Sequence, residues 1–361
     1  MKLIGKIITY PILFVNIVAA VLLLVCSYSS LAAPKGDMPL TSLSGLAFPI
    51  FLIINILFII FWLLFWTKGS LISIVTFVIC IGPCLDYFPL NFKAKNYTPK
   101  EKDIKIISYN TEAFGTKVNK DWGNTNPLLA YITSQEADII CLQEAIVNVI
   151  AQKGKDKNFL PDYPYYAYSS IGNIACLSKY PIIHSEGIGF EGVTGNSYLY
   201  CKILINNDTL AVYNCHLESN RLSEENIDQY WDFFDDPTEK EKISGPKTVV
   251  KKLITSCKAR AAQAEIISDK IKAETAKYTI VCGDLNDTPL SYTHKLFEKD
   301  LHDAHSTSGF GAGISYHKHH LYYRIDHIFT SKNIKSRHCW IDNSIKDSDH
   351  YPICAVLTLN L

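Results

Sequence analysis

Apolar residues follow two regimes along this chain. Through the first 92 residues they run in long blocks: residues 7–34, 38–67 and 69–85 carry no charged side chain, and only Lys2, Lys6, Lys35, Asp37, Lys68 and Asp86 punctuate them. Such blocks predict membrane helices at about 7–27, 46–66 and 70–85. The first two hold apolar cores of roughly 20 residues, and the third lies near the lower limit of about 17 needed to cross hydrocarbon. Trp62 and Trp66 end the second block, where interfacial aromatics are expected, and Thr67-Lys68-Gly69 implies a tight helical hairpin into the third.

Two other readings of the start fit less well. A cleaved leader agrees with the basic Met1-Lys2…Lys6 lead and the small residues around Ser30 and Ala32, but its apolar region would be too long. A lipid-modified Cys26 would follow the bulky Val25, where a small residue is usual. Lys2, Lys6 and Lys68 favour a cytoplasmic amino terminus and leave the remainder outside, whereas Lys93, Lys95, Lys100 and Lys102 pull the other way. The expectation is a multi-pass protein of the cell membrane with residues 1–92 as anchor and 93–361 as an extracytoplasmic catalytic domain.

Beyond residue 92 the pattern shortens. Period-two or short buried runs bounded by turn residues predict strands at 104–110, 138–143, 165–169, 175–178, 198–205, 209–215, 278–283, 325–330 and 352–359. Asn126-Pro127 opens a helix running to about Gln135, with proline at the first helical position. A second helix, 246–274, carries a buried stripe through Val250, Leu253, Ile254, Cys257, Ala261, Ala264, Ile267 and Ile271. Many strands with few interposed helices imply two packed sheets flanked by helices.

Charge and cysteine narrow the picture. Four of the 35 basic and two of the 35 acidic residues fall in the first 92, so the remainder is slightly acidic and has no basic excess to grip a long nucleic acid through its phosphates. Eight of the eleven cysteines lie beyond residue 92, mostly inside apolar runs such as "DIICLQE" and "PICAVL", a pattern of buried free thiols and not of a disulfide framework.

The candidate chemistry sits where strands stop. "IKIISYN" ends at Asn110 and "ADIICLQE" at Glu144; His216 follows the apolar run of "LAVYNCHLES". "YTIVCGDLN" ends in Asp284 and Asn286, on one face of an extended chain. "YYRIDHIF" holds Asp326, and "KDSDHYPI" places Asp349 and His350 before the last strand. One polar strand end is a turn; six, with oxygen donors or imidazoles and no lysine, suggest one site at one edge of a scaffold. Glu144, Asp349 and the Asn110 amide oxygen are hard donors that suit Mg²⁺ or Mn²⁺ and not zinc. No Gly-x-Ser-x-Gly elbow and no His-Glu-x-x-His appears.

Taken in order, "SYN", "LQE", "GDLN" and "SDH" make the chain from about Ile104 to Leu359 resemble the endonuclease/exonuclease/phosphatase superfamily, which includes nucleases, sphingomyelinases and inositol phosphatases. The resemblance implies a four-layer αββα sandwich of two mixed sheets, here preceded by three transmembrane helices, and hydrolysis of a phosphate ester by metal-assisted attack of water. It implies that Asn110, Glu144 and Asp349 lie at the Mg²⁺ or Mn²⁺. It makes Asp284 the base, Asn286 a water or phosphate ligand, His350 and His216 phosphate contacts, and Asp326 the partner that fixes His350. Cys215 replaces the usual threonine before His216, and Glu112 stands where some nucleases carry an acid.

The implied partners are a phosphate-ester substrate (nucleic acid or phospholipid head group) and the lipid bilayer; no protein partner is expected. A degenerate scaffold is the rival class. His317-Lys-His-His320 is expected to be a solvated loop, Gly309–Gly313 a mobile loop near the site, and Tyr163-Pro-Tyr-Tyr166 strand-entry packing. Arg260 and Gln263 are expected to be structural, and Asp287→Ala, one residue off the Asp284/Asn286 face, is expected to cost at most a modest loss of rate.

Overall fold

The structure, a computed structural model, describes residues 2–34, 39–65, 67–115, 126–146, 162–192, 195–222, 225–228, 244–318 and 321–360. Among these the chain forms helices α1 (Lys2–Tyr28), α2 (Pro39–Phe65), α3 (Ser70–Ile79) and α4 (Ile81–Tyr87), then a two-sheet domain.

Two helices, α1 and α2, are long and apolar enough to cross a membrane; the third block is a bent pair, α3 and α4, turning through 64°. The expected third straight helix is therefore broken, and Pro83 is the reason. Its ring has no N–H and collides with the carbonyl four residues back, that of Ile79, where α3 ends. The bundle is tied by buried polar groups. Asn16 Nδ2 donates to Ser73 Oγ (2.6 Å), Ser73 Oγ to Asn55 Oδ1 (3.2 Å), and Asn55 Nδ2 to the Ala19 carbonyl (3.0 Å). Inside a bilayer such bonds hold helices together because no water competes for them. Trp62 belongs to this network and not to an interfacial belt: it is 2 % exposed and donates to Asn16 Oδ1 at 2.9 Å. A Cβ on Gly69 would meet the Trp62 ring at 2.6 Å, so the hairpin needs glycine there. Trp66 lies outside the described residues.

The remaining strands are β1 (Asp103–Asn110), β2 (Ile139–Gln143), β3 (Tyr165–Ser169), β4 (Ile174–Ser178), β5 (Ile182–Gly189) and β6 (Ser197–Ile205), followed by β7 (Asp208–His216), β8 (Tyr278–Asp284), β9 (Leu301–Asp303), β10 (Asp326–Ser331), β11 (Ile334–Ile341) and β12 (Ile353–Leu359). They form two six-stranded mixed sheets, ordered β11-β12-β1-β2-β4-β3 and β5-β6-β7-β8-β10-β9. Ile106, Ile139 and Cys176 of the first sheet face Val212, Ile280 and Ile328 of the second across a dry core. Helix Pro127–Ser134 buries Leu128 and Ile132 on the outer face of the first sheet; Asn126 caps it by accepting from the Leu128 and Leu129 N–H groups. The long helix Ser244–Lys272 buries Ala264 and Ile267 on the second, beside helix Tyr292–Glu298. The result is the four-layer αββα sandwich. All eleven cysteines are buried and free. Tyr163 donates to the Ala137 carbonyl at 2.9 Å, the packing expected at that strand entry.

Helical bundle and sandwich interlock. Leu290 of the sandwich joins the bundle core of Leu23, Phe48, Cys84 and Tyr87, and Asp86 of α4 pairs with Lys295 at 2.6 Å. The glycine-rich run belongs to this joint: Leu90 bridges Phe310, Gly311 N–H donates to the Pro89 carbonyl, and Phe92 and Phe310 pack at 5.0 Å. It is pinned against the segment that follows α4.

Candidate active site

Strand register assembles the site. β1 and β2 are parallel with Asn110 opposite Gln143, so Glu144 follows directly at the same edge. β7 and β8 are parallel with His216 opposite Asp284, and antiparallel β10 places Asp326 opposite Asp284 from the other side. Gly283 permits this. It has φ +136°, and a Cβ there would lie 1.9 Å from the Cys215 carbonyl oxygen. Only glycine lets the two strand ends approach closely enough to set the imidazole beside the carboxylate.

Asp284 is 1 % exposed and accepts from Asn286 N–H at 2.8 Å and from Asn110 Nδ2 at 3.0 Å. His350 Nε2 lies 3.6 Å from Asp284 Oδ2, and His216 Nε2 lies 3.8 Å from the same oxygen and 3.7 Å from Glu144 Oε1. His350 Nδ1 is 2.7 Å from Asp326 Oδ2. Burial by itself depresses the His350 imidazole, but the Asp326 and Asp284 carboxylates outweigh it and hold the ring at about 10. The ring therefore carries a donor on each nitrogen at neutral pH. Burial pushes the Asp284 carboxyl up, with the positive His350 opposing. Asn286 adopts φ +53° and donates through Nδ2 to the Leu217 carbonyl, which fixes the turn after the base.

A second group of carboxylates faces this set. Glu112, Ala113, Phe114 and Gly115 all have positive φ, one left-handed turn held by Ala113 N–H to the Glu144 carbonyl and Gly115 N–H to the Thr111 carbonyl. Non-glycine residues pay about 1–2 kcal/mol each for that conformation. The turn carries the Glu112 carboxylate to the Asp349 N–H (3.2 Å) and to Lys318 Nζ (2.8 Å to each oxygen). Burial pushes the Asp349 carboxyl up, and Glu112 and Glu144 add to it against His350 and Lys318. Crowded carboxylates whose affinity for a positive charge is raised are the setting a hard divalent cation relieves. Asp284, Asp326 and His350 also offer ligand atoms within 4.8 Å of one another. Asn110 Oδ1 accepts Glu112 N–H at 3.1 Å, and its NH₂ group faces Glu144 and Asp284.

All eight sequence-derived residues thus lie at one edge of the paired sheets. Lys318 was not foreseen, since a lysine in a histidine-rich loop carries no local signal of what it will meet. His317 of the same loop stacks on Tyr351 at 3.8 Å, whereas His319 and His320 lie outside the described residues. Tyr316, edge-on to His350 at 5.2 Å, was likewise unforeseen.

Residues 107–350 match the model of the Endonuclease/Exonuclease/phosphatase family, about two thirds of the chain. The chain belongs to this family. Residues 6–87 match a second family model, described as a domain of unknown function. A "Phospholipase C" of Staphylococcus aureus is 25% identical over 150 residues, 33% of this chain and 44% of that protein, so the chain spans less than half the length of the curated relatives it matches. Among solved structures, D. rerio TDP2 complexed with single strand DNA product has a TM-score of 0.52 at 18% identity, covering 71% of this chain and 99% of that one. An endonuclease/exonuclease/phosphatase from Bacteroides vulgatus has a TM-score of 0.50 at 17% identity, covering 72% and 100%. At these identities the likeness is one of fold.

Around the family motifs a supporting layer is in place. Arg260 is 2 % exposed; its Nη1 donates to the Glu218 carbonyl (3.0 Å) and Asn220 Oδ1 (2.8 Å), and its Nε lies 3.2 Å from Asp287 Oδ2. Gln263 Oε1 accepts Glu218 N–H at 2.9 Å. Both residues fix the loop that follows His216. Asp287 is the buried counter-charge of Arg260. Its carbonyl also faces His327 Nε2 at 2.9 Å, within an interior cluster of His294, Asp303 and His327.

Proposed function

We propose that this protein is a membrane-anchored phosphodiesterase dependent on Mg²⁺ or Mn²⁺, with residues 1–92 as anchor and 93–361 as catalytic domain. The observation that carries the reading is the Asp284 carboxylate flanked by His216 and His350, with His350 held cationic by Asp326. Asp284, its carboxyl raised by burial, takes a proton from a water that attacks phosphorus. Asn286 and His216 hold the phosphate or that water, and His350 donates to the charge developing on phosphorus-bound oxygen. One P–O ester bond breaks and the departing alcohol takes up a proton. Asp326 keeps His350 oriented and charged.

Glu144 and Asp349, with Glu112 behind them, would hold the divalent cation; the donor set is oxygen only and already crowded. Bound there, the cation supplies Lewis-acid stabilisation of a phosphoryl oxygen. Asn110, with its NH₂ on Glu144 and Asp284, spaces the two carboxylates. The intact set of groups speaks against a degenerate scaffold.

An extracytoplasmic catalytic domain is supported by the run of the helices. Asn16 meets Trp62, and Phe48 packs with Leu23 and Leu290, so the sandwich sits at the end of the bundle away from Lys68 and the amino terminus. Tyr28 donates to the Ile79 carbonyl, which returns α3 to the sandwich side. Basic residues at the far end mark that end as cytoplasmic.

Full-length protein in detergent should hydrolyse the soluble diester bis(p-nitrophenyl) phosphate with Mg²⁺ or Mn²⁺ and lose that activity on chelation with EDTA. Turnover that survives chelation would sink the metal-dependent mechanism.

A further inference from the structure

The cleft holding Asp284, His216 and His350 encloses about 470 Å³, and one of its walls is the first half of α2, through Leu43, Leu46, Ala47 and Ile50. The opposite apolar wall is the long helix of the sandwich, through Val249, Val250 and Leu253. A catalytic cleft walled by a helix apolar enough to cross a membrane is unusual for a water-soluble substrate, which gains nothing from such a surface.

The wall does not end at the cleft. Leu43, Leu46, Ile50, Ile53 and Leu57 recur at threes and fours, so they share one face of α2. Leu43 and Leu46 are half-buried in the cleft, whereas Ile50, Ile53 and Leu57 are each 57% exposed. The face runs about 21 Å from the catalytic cleft to exposed apolar surface, at roughly 1.5 Å per residue. The stretch long and apolar enough to cross a membrane itself begins at Leu43, one of the residues that line the cleft. Docking is tight at this point: a Cβ on Gly45 would lie 2.0 Å from Thr288 Oγ1, in the turn that follows Asp284.

The charge of the described lining favours a lipid over a nucleic acid. Among the described residues lining the cleft, Arg221 is the sole lysine or arginine, and Glu218 pairs with it at 2.5 Å. A nucleic acid backbone needs a row of free cations.

We infer that the substrate is a membrane phospholipid that enters sideways from the bilayer, its phosphate at Asp284 and His350 and a hydrocarbon chain along the Leu43–Leu57 face of α2. This rests on the phosphodiesterase reading above. The same step applies: water adds to phosphorus, the P–O bond to one alcohol breaks, and that alcohol leaves protonated.

The test uses full-length protein reconstituted into vesicles of phosphatidylcholine, phosphatidylglycerol and sphingomyelin, with bis(p-nitrophenyl) phosphate as soluble reference. Lipid hydrolysis should be seen alongside diester hydrolysis. Ile50→Gln should lower the ratio of lipid to diester turnover by about tenfold or more, the cost of losing burial of two methylene groups. A phosphatidylcholine with a diazirine on its acyl chain should label Val250 and Leu253, which belong to the sandwich. Diester turnover without lipid turnover, an unchanged ratio in Ile50→Gln, or labelling confined to α1–α3 would overturn the inference and leave the phosphodiesterase reading standing. Failure on both substrates would remove that reading and the inference together.

Discussion

Asp287→Ala separates the architecture of the site from its chemistry. Arg260 is almost fully buried and has four contacts: two with the Asp287 carboxylate, at 3.2 and 3.3 Å, and one each with the Glu218 carbonyl and Asn220 Oδ1. Removing the carboxylate strands a guanidinium that cannot lose its proton. Breaking a buried pair from one side costs about 3–5 kcal/mol. Two neutral acceptors remain, so the lower end, about 3 kcal/mol, is expected. For a domain of this size that converts to a fall in Tm of roughly 6–12 °C, at about 2–4 °C per kcal/mol. Near-UV circular dichroism of the detergent-solubilised protein against temperature would measure it. Arg260→Met in the Asp287→Ala background should recover part of the loss, because no unpaired charge is then buried. A Tm within about 2 °C of wild type for Asp287→Ala would refute the reasoning, since it would mean the pair is solvated and replaceable by water.

Three further outcomes follow from the geometry. Asp284→Asn keeps size and removes the base, so diester turnover should fall by at least about 10²-fold with little change in Tm; wild-type turnover would show that another group takes the proton. Gly283→Ala should be among the most disruptive single changes, at or beyond about 4 kcal/mol, because its Cβ has no space beside the Cys215 carbonyl; a folded variant of normal Tm would contradict the strand contact. Glu298 has its carboxyl held at about 2: burial pushes it up, but His294 and Lys295 outweigh that. A depressed carboxyl stabilises the fold above its unfolded value near 4.5 and loses that contribution as pH falls toward 2. The Tm gap between wild type and Glu298→Gln should therefore narrow between pH 6 and pH 3, and a gap that widens would reverse the assignment.

The chain by itself determined the elements whose signal is local. Uninterrupted apolar blocks gave α1 and α2, Asn126-Pro127 gave the helix it caps, and nine strands were visible because their buried residues alternate or cluster. The three strands that left no such signal, β5, β9 and β11, are all at sheet edges. β5 is exposed along most of its length, so its residues answer to backbone pairing and not to burial. Pro83 was visible in the sequence, yet its effect depends on the helix around it, and the expected third span proved to be a bent pair.

The site was legible for a different reason. Polar groups at the ends of apolar strands stand out locally, and their order resembles one family. Tertiary structure alone decided what those groups meet. The sequence contains no sign that Lys318 reaches Glu112, that Asn110 turns its NH₂ inward, or that Asp287 neutralises Arg260. Nor does it show that α2 forms one wall of the catalytic cleft. Each of these is a contact between residues far apart in the chain, and periodicity, which reports only whether a side chain is buried, carries no information about its partner.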